Sequence, residues 1–168
     1  MITIRAERAQ DIAGISHVNQ QAFQQTAEAE LVDQLRVRGK LRISLVAESD
    51  DEIVGHIAFS QVQIDSGNLA NGLGLGPLAV RPGLQKQGIG SRLVRAGLER
   101  CRELGFDYVV VLGHADYYPR FGFSPASRFG IRCIWPVPDE VFMALELRSG
   151  ALREMSGLIA YEPEFDNF

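Results

Sequence analysis

The sequence predicts a mixed α/β fold, a mostly antiparallel sheet that contains one parallel strand pair, with helices on both faces. One observation is a pair of β-branched apolar runs, Ile43 to Glu48 and Glu52 to Gln63, joined by the polar turn Ser49-Asp50-Asp51, which is the pattern of a β-hairpin. A second is the succession of strand, glycine turn, helix and strand between Pro77 and Leu112, a βαβ unit whose two strands run parallel through a right-handed crossover. The chain of 168 residues, with 46% hydrophobic and 23% charged side chains, suits one domain, 1–168, built on one core.

Each element follows from local pattern. Met1 to Glu7 alternates as a short strand, and a helical pattern starts at Asp11 and carries Ile12, Ile15, Val18 and Phe23. The segment AEAELVDQLRVRG forms a second helix with Leu31, Val32 and Leu35 on one side and Gly39 as its stop. After the hairpin, DSGNLANGLGLG is rich in Gly and Asn and reads as a loop, and Pro77 to Val80 as a short buried strand. From Gly88 to about Leu104 the apolar residues fall at helical spacing, with Gly105 as cap. Asp107 to Leu112 is nearly all apolar, which marks a central strand covered on both faces. HADYYPRFGF is a short helix and turn, Val141 to Leu147 a late strand, and GLIAYEPEF a further strand.

Composition narrows the function. A formal net charge of -4 offers a polyanion no attractive field, so no nucleic acid partner is expected. Cys101 and Cys133 are far apart, without CxxC spacing or a neighbouring His pair, so no metal site and no disulfide is expected. No segment approaches the roughly 18 apolar residues of a membrane helix, and the first residues lack a signal-peptide core, so the expected location is cytoplasmic and away from membranes.

The stretch RPGLQKQGIGSRLV, Arg81 to Val94, places Gly83, Gly88 and Gly90 at a helix entrance. It lacks the Gly-Lys-Ser/Thr of a Walker loop, and the run GLGLGPLAV contains Pro77 and stands before a strand, unlike a dinucleotide fingerprint. What remains is Gln85-x-x-Gly88-x-Gly90 with Ser91 opening the helix. Successive backbone amides from Gln85 to Ser91, with the positive end of the helix dipole, suit a phosphate or pyrophosphate. A plain glycine-bearing turn remains the alternative on motif grounds.

LAVRPGLQKQGIGSRLV, followed by DYVVVLG and YYPRFGF, resembles the GCN5-related N-acetyltransferase (GNAT) family, whose members share [QR]xxGx[GA] on the pyrophosphate of coenzyme A. The resemblance extends over most of the chain and is greatest to small bacterial single-domain members with the same AEAELVDQLR helix and RCIWPVP segment. It implies acetyl-CoA as cosubstrate, and an acetyl group passing from the thioester to an amine of a small molecule or peptide by direct attack in a ternary complex. It also implies that the parallel pair splays at the cofactor cleft. Leu78 would donate its backbone NH to the thioester carbonyl, with Ala79 and Val80 along the pantetheine. Gln85, Lys86, Gln87, Gly88, Ile89, Gly90 and Ser91 would seat the pyrophosphate. Tyr118, four residues before Gly122, would be the general acid for the departing thiolate, with Tyr117 as a packing aromatic.

At one position the chain departs from the pattern. Gly74 stands where relatives often carry a glutamate base, so the base is unassigned, with Glu28, Glu30 and His114 as substrate-side candidates. Glu28 and Glu30 equally suit a solvated helix N-terminus. His56 reads as a satisfied strand histidine, Asp116 as a site candidate beside His114, and Trp135 as core or substrate wall. The alternative function is a non-catalytic acyl-CoA-binding sensor or partner-binding module on the same fold. Family habit also implies a homodimer, with the C-terminal strand offering an edge for pairing.

Overall fold

The computed structural model describes residues 1–66, 70–153 and 155–167. The strands are β1 (Thr3–Ala6), β2 (Leu41–Ser49), β3 (Glu52–Ile64), β4 (Gly72–Val80), β5 (Tyr108–Leu112), β6 (Ser124–Pro125), β7 (Ile131–Cys133), β8 (Phe142–Glu146) and β9 (Gly157–Tyr161). The helices are α1 (Ile12–Phe23), α2 (Ala27–Val37) and α3 (Ile89–Glu103), with short 3-10 turns between later elements. Along the sheet the order is β1-β2-β3-β4-β5-β8-β6, and β9 pairs with β3 and β7. These pairings are antiparallel except β4 with β5 and β7 with β9, so the mixed, mostly antiparallel sheet with a parallel βαβ pair is present. No helix among the described residues is long and apolar enough to cross a membrane.

Two-residue periodicity sorts the side chains between the faces. Leu45, Ala47, Ile57, Phe59, Leu73, Leu75, Val109 and Val111 meet the apolar stripe of α3, carried by Ile89, Leu93, Val94, Leu98 and Cys101. On the other face Val46 packs on Ile15 of α1 and Val32 of α2. Val62, Tyr108, Val110 and Ile159 form a further cluster there with Ile131, Leu152 and Met155.

The segment 72–76 departs from the sequence expectation. It is the first half of β4 rather than a loop, while residues 67–69 of the same expected loop lie outside the described residues. Its Gly-Leu alternation is a strand pattern: Leu73 and Leu75 are buried under α3, and the glycines on the opposite face make room for rings. A Cβ on Gly72 would lie 2.1 Å from the Tyr108 ring, and one on Gly74 2.5 Å from the ring of Tyr161. Accordingly the parallel partner of β5 is Gly72 to Leu75, not Leu78 to Val80. The C-terminal strand also differs from expectation, because β9 is bonded on one side to β3 beyond the end of β2 and on the other to β7, so it presents no free edge for a second copy.

A buried polar chain joins α1, β2, β3 and α2. Arg36 donates to both Glu7 oxygens at 2.7 and 2.9 Å. Since the carboxylate only accepts, the Ser44 hydroxyl donates to it at 2.5 Å. The Ser44 oxygen therefore receives the Nε2–H of His56 at 2.9 Å, leaving Nδ1 bare to accept from Asn19 Nδ2 at 3.2 Å. His56 is the satisfied strand histidine expected. A second ring proton would point at an amide donor in a site closed to water, and burial lowers the His56 pKa from 6.5 to about 3.

A group whose folded pKa lies below its unfolded value contributes stability at high pH and loses it as pH falls. For His56 the loss starts near pH 6.5 and runs toward 3, at ~1.4 kcal/mol per pH unit. Urea denaturation should show a falling unfolding free energy between pH 7 and 5, a window above the carboxylate range, and His56→Gln should flatten that limb. An unchanged slope in the variant would remove His56 as its source.

Candidate active site

The cleft originates in one extra residue. β3 advances from Ile57 to Phe59 while β4 advances from Leu78 back to Leu75, so β4 carries a bulge at Gly76-Pro77. Below the bulge β4 pairs with β5 from Gly72↔Tyr108 to Leu75↔Val111; above it Leu78 to Val80 stay with β3 and leave β5. β5 meanwhile runs on beside β8, and Gly113 donates to the Val141 carbonyl at 2.9 Å. The two strands diverge in a V, and a cleft of about 1160 Å³ opens there, lined by Leu75, Gly76, Pro77, Leu78 and Val80 on one arm and Leu112, Gly113 and His114 on the other.

One end of the cleft is the turn before α3. Lys86 and Gly88 take left-handed φ values of 62° and 88°, a sequence that aims consecutive amides to one side. Gln85 Nε2 donates to the Val80 carbonyl at 2.9 Å and Gln87 Nε2 to Gly83 at 3.2 Å, so both side chains tie the turn to itself through its carbonyls. The Arg92 amide donates to the Gly88 carbonyl at 3.0 Å, and among the described residues no backbone carbonyl is recorded as partner to the amides from Gln85 to Ser91. The dipole of α3 lies behind these amides and Lys86 and Arg120 stand on the wall beside them, an arrangement whose partial and full charges are positive. Of the residues expected along the cofactor, Leu78, Val80, Gln85, Lys86, Gly88, Gly90 and Ser91 line the cleft. The side chains of Ala79, buried opposite His56, of Ile89, in the core, and of Gln87, exposed, do not, which leaves those three only their backbone.

Tyr118 stands in mid-cleft. Its ring covers Gly113, where a Cβ would lie 2.4 Å from Cε2, and meets Tyr117 and Phe123 edge-on at 5.1 and 5.8 Å. Only 7% exposed, its phenol is pushed by burial well above the usual tyrosine range, so it stays protonated and can donate. Tyr117 is more than the packing aromatic expected of it: its hydroxyl shares a hydrogen bond with Ser91 Oγ at 3.1 Å, and the Arg120 guanidinium lies 4.6 Å over its ring.

The far end is apolar. Phe23 of α1, Leu31 of α2, and Trp135, Tyr161 and Phe165 line it, Trp135 stacking on Tyr161 with centroids 5.1 Å apart. Trp135 is thus wall. Lys40 pins this C-terminal segment by donating to the buried Glu164 at 2.6 Å. Glu28 and Glu30 are outside the cleft: Glu28 is buried and accepts both bonds from Gln25 Nε2 at 3.0 Å, Glu30 is exposed, and α2 reaches the cleft through Leu31 instead. His114 lies on the rim at the end of β5, exposed; the neighbouring Asp116 does not line the cleft. Tyr161, Phe165 and Asp166 are cleft residues that sequence reasoning missed, because nothing local to GLIAYEPEF links it to Gly74.

Residues 10–123 match the model of the acetyltransferase (GNAT) family. The chain is 37% identical over 166 residues to the uncharacterized N-acetyltransferase YhbS of Escherichia coli, covering 98% of this chain and 99% of that one. The crystal structure of that protein in complex with CoA superposes with a TM-score of 0.94 over 99% of this chain and 93% of the other. A GNAT family acetyltransferase from Brucella melitensis, solved with acetyl-CoA, is also 37% identical and gives a TM-score of 0.83, covering 99% of each chain.

The contact between Gly74 and the Tyr161 ring yields a direct test. Gly74→Ala should lower the unfolding free energy by ~1–3 kcal/mol, the usual cost of overpacking. In a Tyr161→Ala background the same substitution should cost less than half as much, so a double-mutant cycle by urea denaturation should give a clear coupling. Additive effects would mean that the two residues do not touch.

Proposed function

This chain belongs to the acetyltransferase (GNAT) family, and from that premise we propose that it is a single-domain, acetyl-CoA-dependent N-acetyltransferase spanning residues 1–168. The observation that carries the reading is the continuity of the cleft, from a seat of unpaired amides at α3, through the diverging strands, to an apolar wall on the opposite face. The complexes of the two relatives with CoA and acetyl-CoA support the cosubstrate.

In this reading the amides from Gln85 to Ser91 and the Lys86 ammonium hold the pyrophosphate, and the glycines let its oxygens approach the backbone. The pantetheine follows Leu78 to Val80 into the V. The Leu78 amide polarises the thioester carbonyl; a positioned donor of this kind is worth on the order of 10²–10³ in rate. An amine entering from the apolar end attacks the carbonyl carbon, and Tyr118 protonates the departing sulfur. Neither cysteine lines the cleft, which favours direct attack over transfer through a cysteine acyl-enzyme. The absence of a carboxylate at Gly74 favours a second reading, a module that binds acyl-CoA without transferring it.

Calorimetric titration with acetyl-CoA tests the premise. Gly88→Ala and Gly88→Glu share the strain of a left-handed φ of 88°, but only the second puts a carboxylate at the phosphate seat. Binding should weaken a few-fold in the first and at least about 100-fold in the second, since like charge adds to lost space. Comparable losses in both would remove the phosphate assignment, and no binding in the wild type would remove the cosubstrate. Tyr118→Phe should keep the affinity for acetyl-CoA and lose about 10²-fold in thiol release. Binding without thiol release from any amine would select the second reading.

A further inference from the structure

The cleft crosses the sheet, and the two tyrosines within it sit on opposite faces. Tyr118 packs with the α3-side core; Tyr161 packs with Val62 and Ile159 on the other side. Their rings cover two glycines, Gly113 and Gly74. Gly74 is in register with Val110, three residues before Gly113 on the neighbouring strand, a separation of roughly 10 Å at the usual strand rise. The Tyr161 hydroxyl is buried, yet it has no hydrogen-bond partner among the described residues. A buried hydroxyl without a partner is costly, and this one belongs to a half-buried side chain that lines the cleft.

Building on the acetyltransferase reading, we infer that the Tyr161 hydroxyl is the acceptor-binding group, taking a hydrogen bond from the N–H of an uncharged primary amine carried on an apolar, preferably aromatic, body. The Tyr161 ring occupies the space a side chain at position 74 would need, so a phenol replaces a carboxylate beside the reacting centre. A neutral phenol accepts an N–H but supplies no countercharge, so among Trp135, Phe165 and Leu31 an ammonium ion has only ring faces to offset its desolvation, and only the uncharged amine carries the lone pair that attacks. The other ionisable groups interacting with Tyr161 are Cys133 and Tyr118, and burial holds both neutral. Among the described residues that line the cleft, Asp166 is the one carboxylate, and it is exposed at the rim. It can meet an incoming monoamine, whereas a polyamine would find no second acid.

The bonds balance without a protein base. One N–H of the amine donates to the Tyr161 oxygen while the nitrogen lone pair attacks the thioester carbon. The C–N bond forms and the C–S bond breaks. The nitrogen releases its surplus proton to water, the sulfur takes the Tyr118 proton, and solvent restores it. Amine and thioester become amide and thiol.

Tyr161→Phe preserves the ring over Gly74 and deletes only the hydroxyl. Thiol release from acetyl-CoA would be measured with 2-phenylethylamine, spermidine and triglycine as acceptors, alongside calorimetry of acetyl-CoA binding. The wild type should favour 2-phenylethylamine over both others by at least tenfold in kcat/KM. The variant should lose about ten- to a hundred-fold in kcat/KM for that amine through a raised acceptor KM, with acetyl-CoA affinity unchanged. Equal kinetics in the variant would overturn the role of the hydroxyl, and preference for spermidine or triglycine would overturn the acceptor class. Wild-type protein that binds acetyl-CoA but acetylates none of the three would also overturn the acceptor class. Wild-type protein that fails to bind acetyl-CoA would instead bring down the acetyltransferase reading itself.

Discussion

The extra residue in β4 at Gly76-Pro77 is the constraint on which the site depends. A strand pair in perfect register would close its hydrogen-bond ladder along its whole length and leave no room for a ligand between its members. The bulge lets β4 pair with both β3 and β5 below it and with β3 alone above it. Proline strengthens the break because it supplies no N–H to a ladder. The separated strands leave backbone groups of Leu78 to Val80 without β5 as partner, and the helix that follows β4 begins beside the same opening.

A second economy lies in the glycines of β4. One face of the strand carries Leu73 and Leu75 into the α3 core, while the other is left bare at Gly72 and Gly74 so that Tyr108 and Tyr161 can lie across it. Of these two rings Tyr161 lines the cleft, beside Trp135 and Phe165, while Tyr108 is buried in the core. The apolar end of the cleft is steadied from within by the stacked Trp135 and Tyr161 and from outside the lining by Lys40 on Glu164.

Polar groups divide by setting. At His56, where burial is complete, both ring nitrogens find a partner, and the chain from Asn19 through His56 and Ser44 to Glu7 and Arg36 binds α1, β3, β2 and α2 together. At the cleft the opposite holds: the amides of the α3 turn and the Tyr161 hydroxyl have no protein partner recorded among the described residues. Unsatisfied groups are tolerated where a ligand completes them.

By itself the sequence determined what depends on local spacing. The hairpin, the βαβ unit, the three helices, the glycine turn at α3 and the pairing of Tyr118 with the Gly122 turn all follow from patterns a few residues long, and so did the family resemblance. The first half of β4 was legible in principle through its Gly-Leu alternation, but glycine also signals loops, and the partner rings that explain it lie 36 and 87 residues from the glycines they cover, Tyr108 from Gly72 and Tyr161 from Gly74. Only the tertiary structure decided that Glu28 and Glu30 lie outside the cleft, that Tyr117 bonds Ser91, and that Tyr161 fills the place of a side chain at Gly74. The physical reason is that secondary structure is set by neighbours along the chain, whereas the shape of a cleft is set by which remote side chains compete for the same volume.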